Sequence, residues 1–347
     1  MTEISERLTL IEQRLSDLEH RKSFKEETAP TSTARVGELD IRAAYRIFLN
    51  REPDEGGLQH FLQKSRSESF DFNDLISGVT DCEEYRQKSA RQLESVEVYG
   101  LKVVVDPEEP EFGRAIARDG VWEPHILQAI RQNLNADDVF VDVGANVGIM
   151  SFHAASIVGQ GGREFAFEPN QDNVQRFLQG VLLNGFSNVT MFPFAASNAA
   201  GIFSMQGHSN TYLVSASVGG RLTQSVRVDD LLQNEPRVNF IKIDIEGHEP
   251  FALEGLNEIM AKHKPLVLCE FNPRCLRSNA HTEPLALAER IFQMTNQVEL
   301  VEKDGSFTPC RSAGHLMDIW HGRNDAVVRA GDLEDGLLHF DLLFRVS

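Results

Sequence analysis

Residues 139–148 read Val-Phe-Val-Asp-Val-Gly-Ala-Asn-Val-Gly. Apolar, mostly β-branched residues run into two closely spaced glycines, and a further apolar stretch follows. This pattern is a buried strand, a tight turn and a helix. In a doubly wound sheet such a turn faces the ligand, and strands that alternate with helices along the chain predict a mostly parallel sheet. The same rhythm recurs in EFAFEP, NVTMFPFAA, FIKIDIE and PLVLCEF, most of them followed by an amphipathic stretch. Uninterrupted apolar runs of this kind suit strands covered on both faces. The predicted fold is α/β, a doubly wound, Rossmann-like sheet with helices on both sides. Residues 200–228 hold β-rich pieces without a helix between them and predict an antiparallel insertion. The closing HFDLLFRVS predicts an edge strand.

In such a sheet the ligand lies outside the carboxyl ends of the strands, where the turn after Val143 sits. Two ligand classes compete for it. A dinucleotide fingerprint, G-x-G-x-x-G, needs its second glycine so that a pyrophosphate can approach the backbone. Here Asn146 stands at that position and the spacing is Gly144-x-x-x-Gly148, which argues against NAD. S-adenosylmethionine carries no phosphates and needs a bare turn, acceptors for its ammonium, and a carboxylate for its ribose. Glu168, at the tip of the second core strand and 20 residues after Gly148, is placed to accept both ribose hydroxyls.

A second polar cluster, Lys242-Ile243-Asp244-Ile245-Glu246-Gly247-His248-Glu249, follows the strand beginning at Phe240. Glu249-Pro250 has the chemistry of a helix start. Asp244, Glu246 and His248 are left as candidate catalytic groups, because clustered acids repel unless something compensates them. His248 is the attractive general base, with an ordinary pKa near neutrality. Glu270 ends the fifth core strand, and Asn272 after it could orient an acceptor hydroxyl. A divalent metal held by Asp229, Asp244 and Glu270 is a less favoured alternative. Those oxygens suit Mg²⁺, but Asp229-Asp230-Leu231-Leu232 also reads as a helix cap.

The segments DVGANVG (142–148), FEPN (167–170), AAS (195–197), VDDLL (228–232), KIDIEGHE (242–249) and LCEF (268–271) occur in the order and spacing of the FkbM-type methyltransferases. The chain resembles that family over about residues 97–275, and GVWEP (120–124) resembles its lead-in helix. The resemblance implies a class I methyltransferase sheet and S-adenosylmethionine as cofactor. It implies O-methylation of a hydroxyl on a sugar or a polyketide-derived product. It places Glu123, Asp142, Gly144, Asn146, Gly148, Glu168, Pro169, Asn170, Ala196 and Asp244 beside the cofactor, and Glu270 and Asn272 beside the acceptor.

Toward the N-terminus, Ile4, Leu8, Ile11, Leu15 and Leu18 alternate spacings of four and three. This heptad seam predicts either a short coiled coil over residues 1–25 or a helix packed on its own chain. Isoleucine-rich d positions with leucine at a lean toward a trimer or tetramer, hence a homo-oligomer. Residues 26–37 read as a linker, 38–95 as a small helical domain and 96–347 as the methyltransferase domain. Tyr45, Arg51, Pro53, Asp54 and Gly57 resemble a helical module of unknown function that accompanies glycan enzymes. A competing function is therefore an assembly protein in glycan synthesis, with the catalytic fold weak or idle.

Thirty-four Lys and Arg against 52 Asp and Glu give a net charge of −18, which disfavours nucleic acid and anionic bilayers as partners. No apolar run approaches the length of a membrane span, the N-terminus lacks a secretory signal, and the four cysteines form no C-x-x-C pair. A cytoplasmic location with reduced thiols is the expectation.

Overall fold

The computed structural model describes residues 36–49, 51–67, 70, 72–85, 93–109, 112–206, 212–215 and 221–347. The heptad seam, with the oligomer inferred from it, and the linker as far as residue 35 lie outside them. The described residues form two compact units: one runs to Tyr45 and resumes over Glu52–Asp81, and the other comprises Arg46–Arg51 and Cys82–Ser347.

The first unit contains α1 (Glu38–Ala44), α2 (Glu55–Lys64) and α3 (Phe72–Thr80). Ile41, Leu58, Phe61, Leu75 and Val79 are buried. The Asp54 side chain caps α2 by accepting from the Gly57 amide at 2.7 Å. A Cβ on Gly57 would lie 2.4 Å from the Tyr45 hydroxyl, so that glycine is required by the tyrosine packed over it.

From residue 94 the second unit continues with a hairpin, β1 (Glu94–Val98) and β2 (Leu101–Val105), turned by Tyr99 and Gly100, both at positive φ. Helices α4 (Phe112–Asp119) and α5 (Pro124–Asn133) follow. The sheet then begins: β3 (Val139–Val143), α6 (Ile149–Val158), β4 (Arg163–Phe167), α7 (Gln171–Asn184) and β5 (Val189–Phe192). The predicted insertion is present. Strands β6 (Ala195–Ala196), β7 (Gly201–Gln206), β8 (Tyr212–Ser215) and β9 (Arg221–Val226) make a separate sheet in which β7 runs antiparallel to both β8 and β9. Then come α8 (Val228–Leu232), β10 (Phe240–Ile243), α9 (Glu249–Gly255), α10 (Asn257–His263) and β11 (Leu266–Phe271). The chain ends with α11 (Pro273–Asn279), α12 (Pro284–Met294), β12 (Val298–Val301), β13 (Phe307–Cys310), α13 (Ala313–Ala330) and β14 (Phe340–Arg345).

The main sheet has eight strands in the order β13-β12-β14-β11-β10-β3-β4-β5. The order reverses between β3 and β10, so the crevice outside their carboxyl ends is the switch point of the fold. HFDLLFRVS is not an edge strand. It is β14, inserted antiparallel between β11 and β12 and buried along nearly its whole length. Its apolar residues on both faces fit an interior position, and β13 forms the edge. GVWEP is likewise not helical before Pro124: residues 121–123 are a loop and α5 starts at the proline.

The two-residue period of a strand sorts the core. Val139, Val141, Val143, Ile241 and Ile243 pack on one face, and Phe140, Ala166, Phe240, Leu266 and Leu268 on the other. Asp142, Glu168, Lys242, Asp244 and Glu270 share the parity of the second set. One face of the sheet therefore carries the apolar residues α5 and α6 cover and also, at its carboxyl edge, the charged ones.

Gly144 sits where the tips of β3 and β10 nearly touch. Its φ is +88° and an added Cβ would fall 1.9 Å from the Asp244 carbonyl oxygen. We expect Gly144→Ala to lower unfolding stability by about 3 kcal/mol or more, because the two strands must part or the turn must reform. Urea denaturation of the two proteins measures this, and a loss below about 1 kcal/mol would show that the turn yields easily.

Candidate functional site

At the carboxyl ends of β3, β4, β10 and β11 lies a cavity of about 750 Å³, large enough for a ligand of nucleotide size. Buried Lys242 lines it. In the register of the sheet Lys242 stands directly opposite Asp142, and its ammonium lies 3.3 Å from Asp142 and 3.4 Å from Asp244. Burial acts to lower the Lys242 pKa, but Asp142, Asp244 and Glu123 outweigh it and the ammonium is held charged, with its pKa raised. Asp142 also accepts from the Ser151 hydroxyl at 2.7 Å, on the first turn of α6. One Asp142 oxygen thus faces the Lys242 ammonium and the other the Ser151 hydroxyl, which ties the tip of β3 to β10 and to α6.

Glu168 leaves the tip of β4 and is buried. One carboxylate oxygen accepts from the Asn146 amide at 2.9 Å and the other from the Asn170 amide at 2.8 Å. Each oxygen keeps a second lone pair. Burial raises its pKa to about 7 in spite of those amides. Asn146 has a left-handed backbone at φ 51°, and its side-chain oxygen is buried with no hydrogen-bond partner within the protein. That orphaned acceptor, beside a carboxylate with spare capacity, is what a site for a polar ligand would present.

On the β10 side, Glu246 (φ 54°) and Gly247 (φ 99°) form a consecutive left-handed pair. The Glu246 carbonyl accepts from the Asn279 side chain at 2.7 Å, and a Cβ on Gly247 would meet the Cys275 carbonyl oxygen at 2.4 Å. Helix α11 is thus clamped onto the tip of β10. Glu249 folds back to accept from the Ile245 and Gly247 amides, each at 3.1 Å, with its pKa raised to about 7 by burial. His248 is buried, tilted against the Phe251 ring at 4.7 Å, with its Nε2 2.9 Å from the Ser197 hydroxyl. Burial lowers its pKa to about 4, which keeps the imidazole neutral near pH 7. Glu270 has one carboxylate oxygen without a partner, and burial together with Asp244 and Glu249 pushes its pKa well up.

The structure brings together Glu123, Asp142, Gly144, Asn146, Glu168, Pro169, Ala196, Asp244, Glu246, His248, Glu270 and Asn272, all of which line the cavity. Three expected residues belong elsewhere. Gly148 does not line it; its φ of +98° and the rings of Phe152 and Phe177, at 2.5 and 2.8 Å from where a Cβ would sit, are what require glycine there. Asn170 lies behind Glu168, where its side chain caps α7 through the Asp172 amide. Asp229 accepts from the amides of Glu258 and Ile259 at the start of α10 and pairs with Arg227, so it does not join Asp244 and Glu270 around a metal. Nor does it cap its own helix: Arg227 occupies that position. Asn272 lines the cavity with less freedom than expected, because its oxygen caps α11 and its amide donates to Glu270 at 3.4 Å. Among the described residues no group of three or more His, Cys, Asp or Glu is arranged to hold a metal ion.

Sequence reasoning missed Lys242, although a lysine inside the apolar run FIKI is a visible signal. It also missed a polar group from the chain's later part. His125, at the start of α5, lies 3.2 Å from Asp341 of β14 and 2.9 Å from Lys303, and all three line the cavity. No short motif links residues so far apart in sequence. Glu123 stands beside them in a left-handed backbone (φ 41°), its pKa raised to about 8 by burial and then by Asp244 and Asp341.

Residues 142–290 match the family described as the Methyltransferase FkbM domain. A curated relative, the hexuronic acid methyltransferase AglP of Haloferax volcanii, is 28% identical over 151 residues, covering 41% of this chain and 60% of that protein. This chain thus spans less than two thirds of that relative's length. Among solved structures, a methyltransferase FkbM from Methylobacillus flagellatus KT aligns with a TM-score of 0.36 and 20% identity, covering 77% of this chain and 57% of that one. A putative methyltransferase from Streptococcus mutans in complex with SAH aligns with a TM-score of 0.36 and 6% identity, covering 65% and 96%. No helix among the described residues is long and apolar enough to cross a membrane.

The raised carboxyl groups set a pH dependence. A carboxyl whose folded pKa exceeds its unfolded value favours folding below the unfolded pKa, and that contribution is lost as pH rises through the folded one. Glu168 and Glu249 (about 7) and Glu123 (about 8) lose it up to about pH 8. His248 and His153, both lowered to about 4, act oppositely, but their gain is complete by about pH 6.5. Between pH 6.5 and 8.5, stability without ligand is therefore expected to fall, by on the order of 1 kcal/mol per pH unit. Urea midpoints across that range measure it, and a flat or rising profile would contradict the assignment.

Proposed function

We propose, proceeding from an FkbM methyltransferase domain at residues 142–290, that this chain is an S-adenosylmethionine-dependent O-methyltransferase acting on a saccharide hydroxyl. The observation that carries the reading is Glu168, buried at the tip of β4, held by two backbone amides and still able to accept from a pair of ribose hydroxyls. The acidic lining also fits a cofactor with cationic sulfonium and ammonium groups: Asp244 and Glu246 both face the same cavity. The relative named for hexuronic acid supports a sugar acceptor.

When bound, S-adenosylmethionine supplies an electrophilic methyl group for in-line displacement. The protein's share is positioning and proton handling. Glu168 grips the ribose. Asn146, with its orphaned side-chain oxygen, accepts from a polar group of the ligand. Ala195 and Ala196 offer an apolar wall for the base. On the acceptor side, Glu270 and Asn272 bound the floor at the end of β11.

Among the three candidate bases, His248 is buried and its Nε2 is already engaged with the Ser197 hydroxyl. The Glu246 carboxylate lies 3.5 Å from the Cys275 thiol. Asp244 is 35% exposed and keeps one oxygen free of the Lys242 contact, so we assign it the hydroxyl proton. His248 and Glu246 shape the pocket around it.

Calorimetric titration with S-adenosylhomocysteine tests the cofactor assignment. The expected result is binding at micromolar affinity, weakened at least tenfold in Glu168→Ala. Absence of heat with the wild-type protein would overturn it. Asp244→Asn is expected to lower kcat by about 10²-fold or more toward a uronic acid acceptor, with a smaller effect from His248→Ala. The reverse ranking would return the base to His248.

A further inference from the structure

Between Asp172 and Arg221, residues 173–220 contain a single Asp, Glu, Lys or Arg, and it is Arg176. At the chain's 25% charged composition about twelve would stand there. Arg176 is buried and faces Asp106 at 3.7 Å, while Asp172 and Arg221 pair with each other at 3.1 Å. Burial in strands accounts for part of this deficit, but not for its surface. Every exposed position from 175 to 202 is Gln, Leu, Gly, Ser, Thr, Pro, Ala or Ile. The other long helices near the end of the chain differ: α12 exposes Glu289, and α13 exposes Asp325 and Arg329.

Helix α7 is the apolar part of this surface. Leu182 is 80% exposed, Leu178 46% and Leu183 45%. Leu178 and Leu182 stand one turn apart, with Gln175 and Gln179 on the same exposed side, so the helix presents an apolar ridge edged by uncharged amides. Its opposite face is committed to the core through Phe177 and through Gly180, where a Cβ would meet the Phe152 ring at 2.4 Å. An amphipathic surface helix ordinarily turns charged and polar side chains to water, and α7 turns leucine instead. The helix touches β5, the outermost strand at its end of the main sheet, which among the described residues pairs only with β4. The ridge therefore lies at the rim of that sheet.

We infer that the outer face of α7 is an interface between two copies of this chain, packed helix on helix about a two-fold axis. Charge selects that occupant. Each copy carries a net charge of −18, so two copies repel wherever their acidic surfaces meet. The uncharged ridge is where they can meet without that repulsion. A two-fold contact sets the same patch on both sides, so Leu178 and Leu182 pack on their counterparts. Gln175 and Gln179 bring amides that both donate and accept, which suits a face that must complement itself. The interface is independent of what the cavity at the carboxyl ends of the strands binds. It is also separate from the heptad seam at residues 4–18, a second expected source of association.

Sedimentation equilibrium of the full chain tests this, in a background of Ile11→Asp/Leu15→Asp that removes the apolar seam. That protein is expected to be a dimer with a dissociation constant in the micromolar range. Adding Leu178→Arg/Leu182→Arg should weaken the dimer at least tenfold, and Leu178→Ala/Leu182→Ala should weaken it in the same direction. Leu285→Arg, at a leucine of α12 that is 43% exposed, should leave it unchanged. Thermal unfolding followed by circular dichroism certifies the fold of each variant, and if the arginine variant melts early the alanine variant decides. A seam-free protein that stays monomeric at submillimolar concentration would overturn the interface. So would a dimer as tight in both α7 variants as without them, or one weakened equally by Leu285→Arg.

Discussion

One buried ammonium organises this site. Lys242 lies across the sheet from Asp142 and beside Asp244, and Glu123 adds to the field around it. At 3.3 Å and an effective dielectric near 20, the Asp142 attraction is on the order of 5 kcal/mol. Desolvating each charge costs several kcal/mol, so the net effect on stability is small. The consequence is geometric. Without the ammonium, Asp142 would be an uncompensated charge in the core, and Asp244 would face Glu123, Glu249 and Glu270 with nothing to offset the repulsion. With it, the tips of β3 and β10 can approach until Gly144 has no room for a Cβ.

The rest of the site follows from strand periodicity and from strained turns. Because side chains alternate, Asp142, Glu168, Lys242, Asp244 and Glu270 all fall on one face, and the carboxyl ends bring them to one edge. Turning the chain there requires left-handed backbone at residues other than glycine, and Glu123, Asn146 and Glu246 supply it within a single cavity. Such positions carry a conformational cost of about 1 kcal/mol or more each, and a fold keeps them where orientation of the side chain or amide matters. Asn146 illustrates this: its left-handed backbone turns the amide toward Glu168.

Much of this is legible from residues alone. The apolar runs mark the five parallel strands, and the β-rich runs within 200–228 mark the separate sheet, in which β7 pairs antiparallel with β8 and β9. The glycine turn and the acid at position 168 point to the ligand side of the fold. What escapes does so for physical reasons. HFDLLFRVS looks like an edge because it closes the chain, yet nothing in a strand's own sequence states which neighbours it takes. Gly148 resembles a cofactor glycine, because a glycine demanded by two phenylalanine rings looks the same in sequence. Asp229 reads as a cap or a metal ligand; it is a cap, but for a helix 28 residues later. His125, Lys303 and Asp341 meet only through tertiary packing, so no spacing could join them.

The central claim is that the turn after Asp142 and the carboxylate of Glu168 together receive a nucleoside. A crystal structure of the chain soaked with S-adenosylhomocysteine measures this most directly. The account predicts both ribose hydroxyls within hydrogen-bond distance of Glu168, with the sulfur over the Asp244 side of the cavity. A ligand bound elsewhere, or a ribose turned away from Glu168, would contradict it.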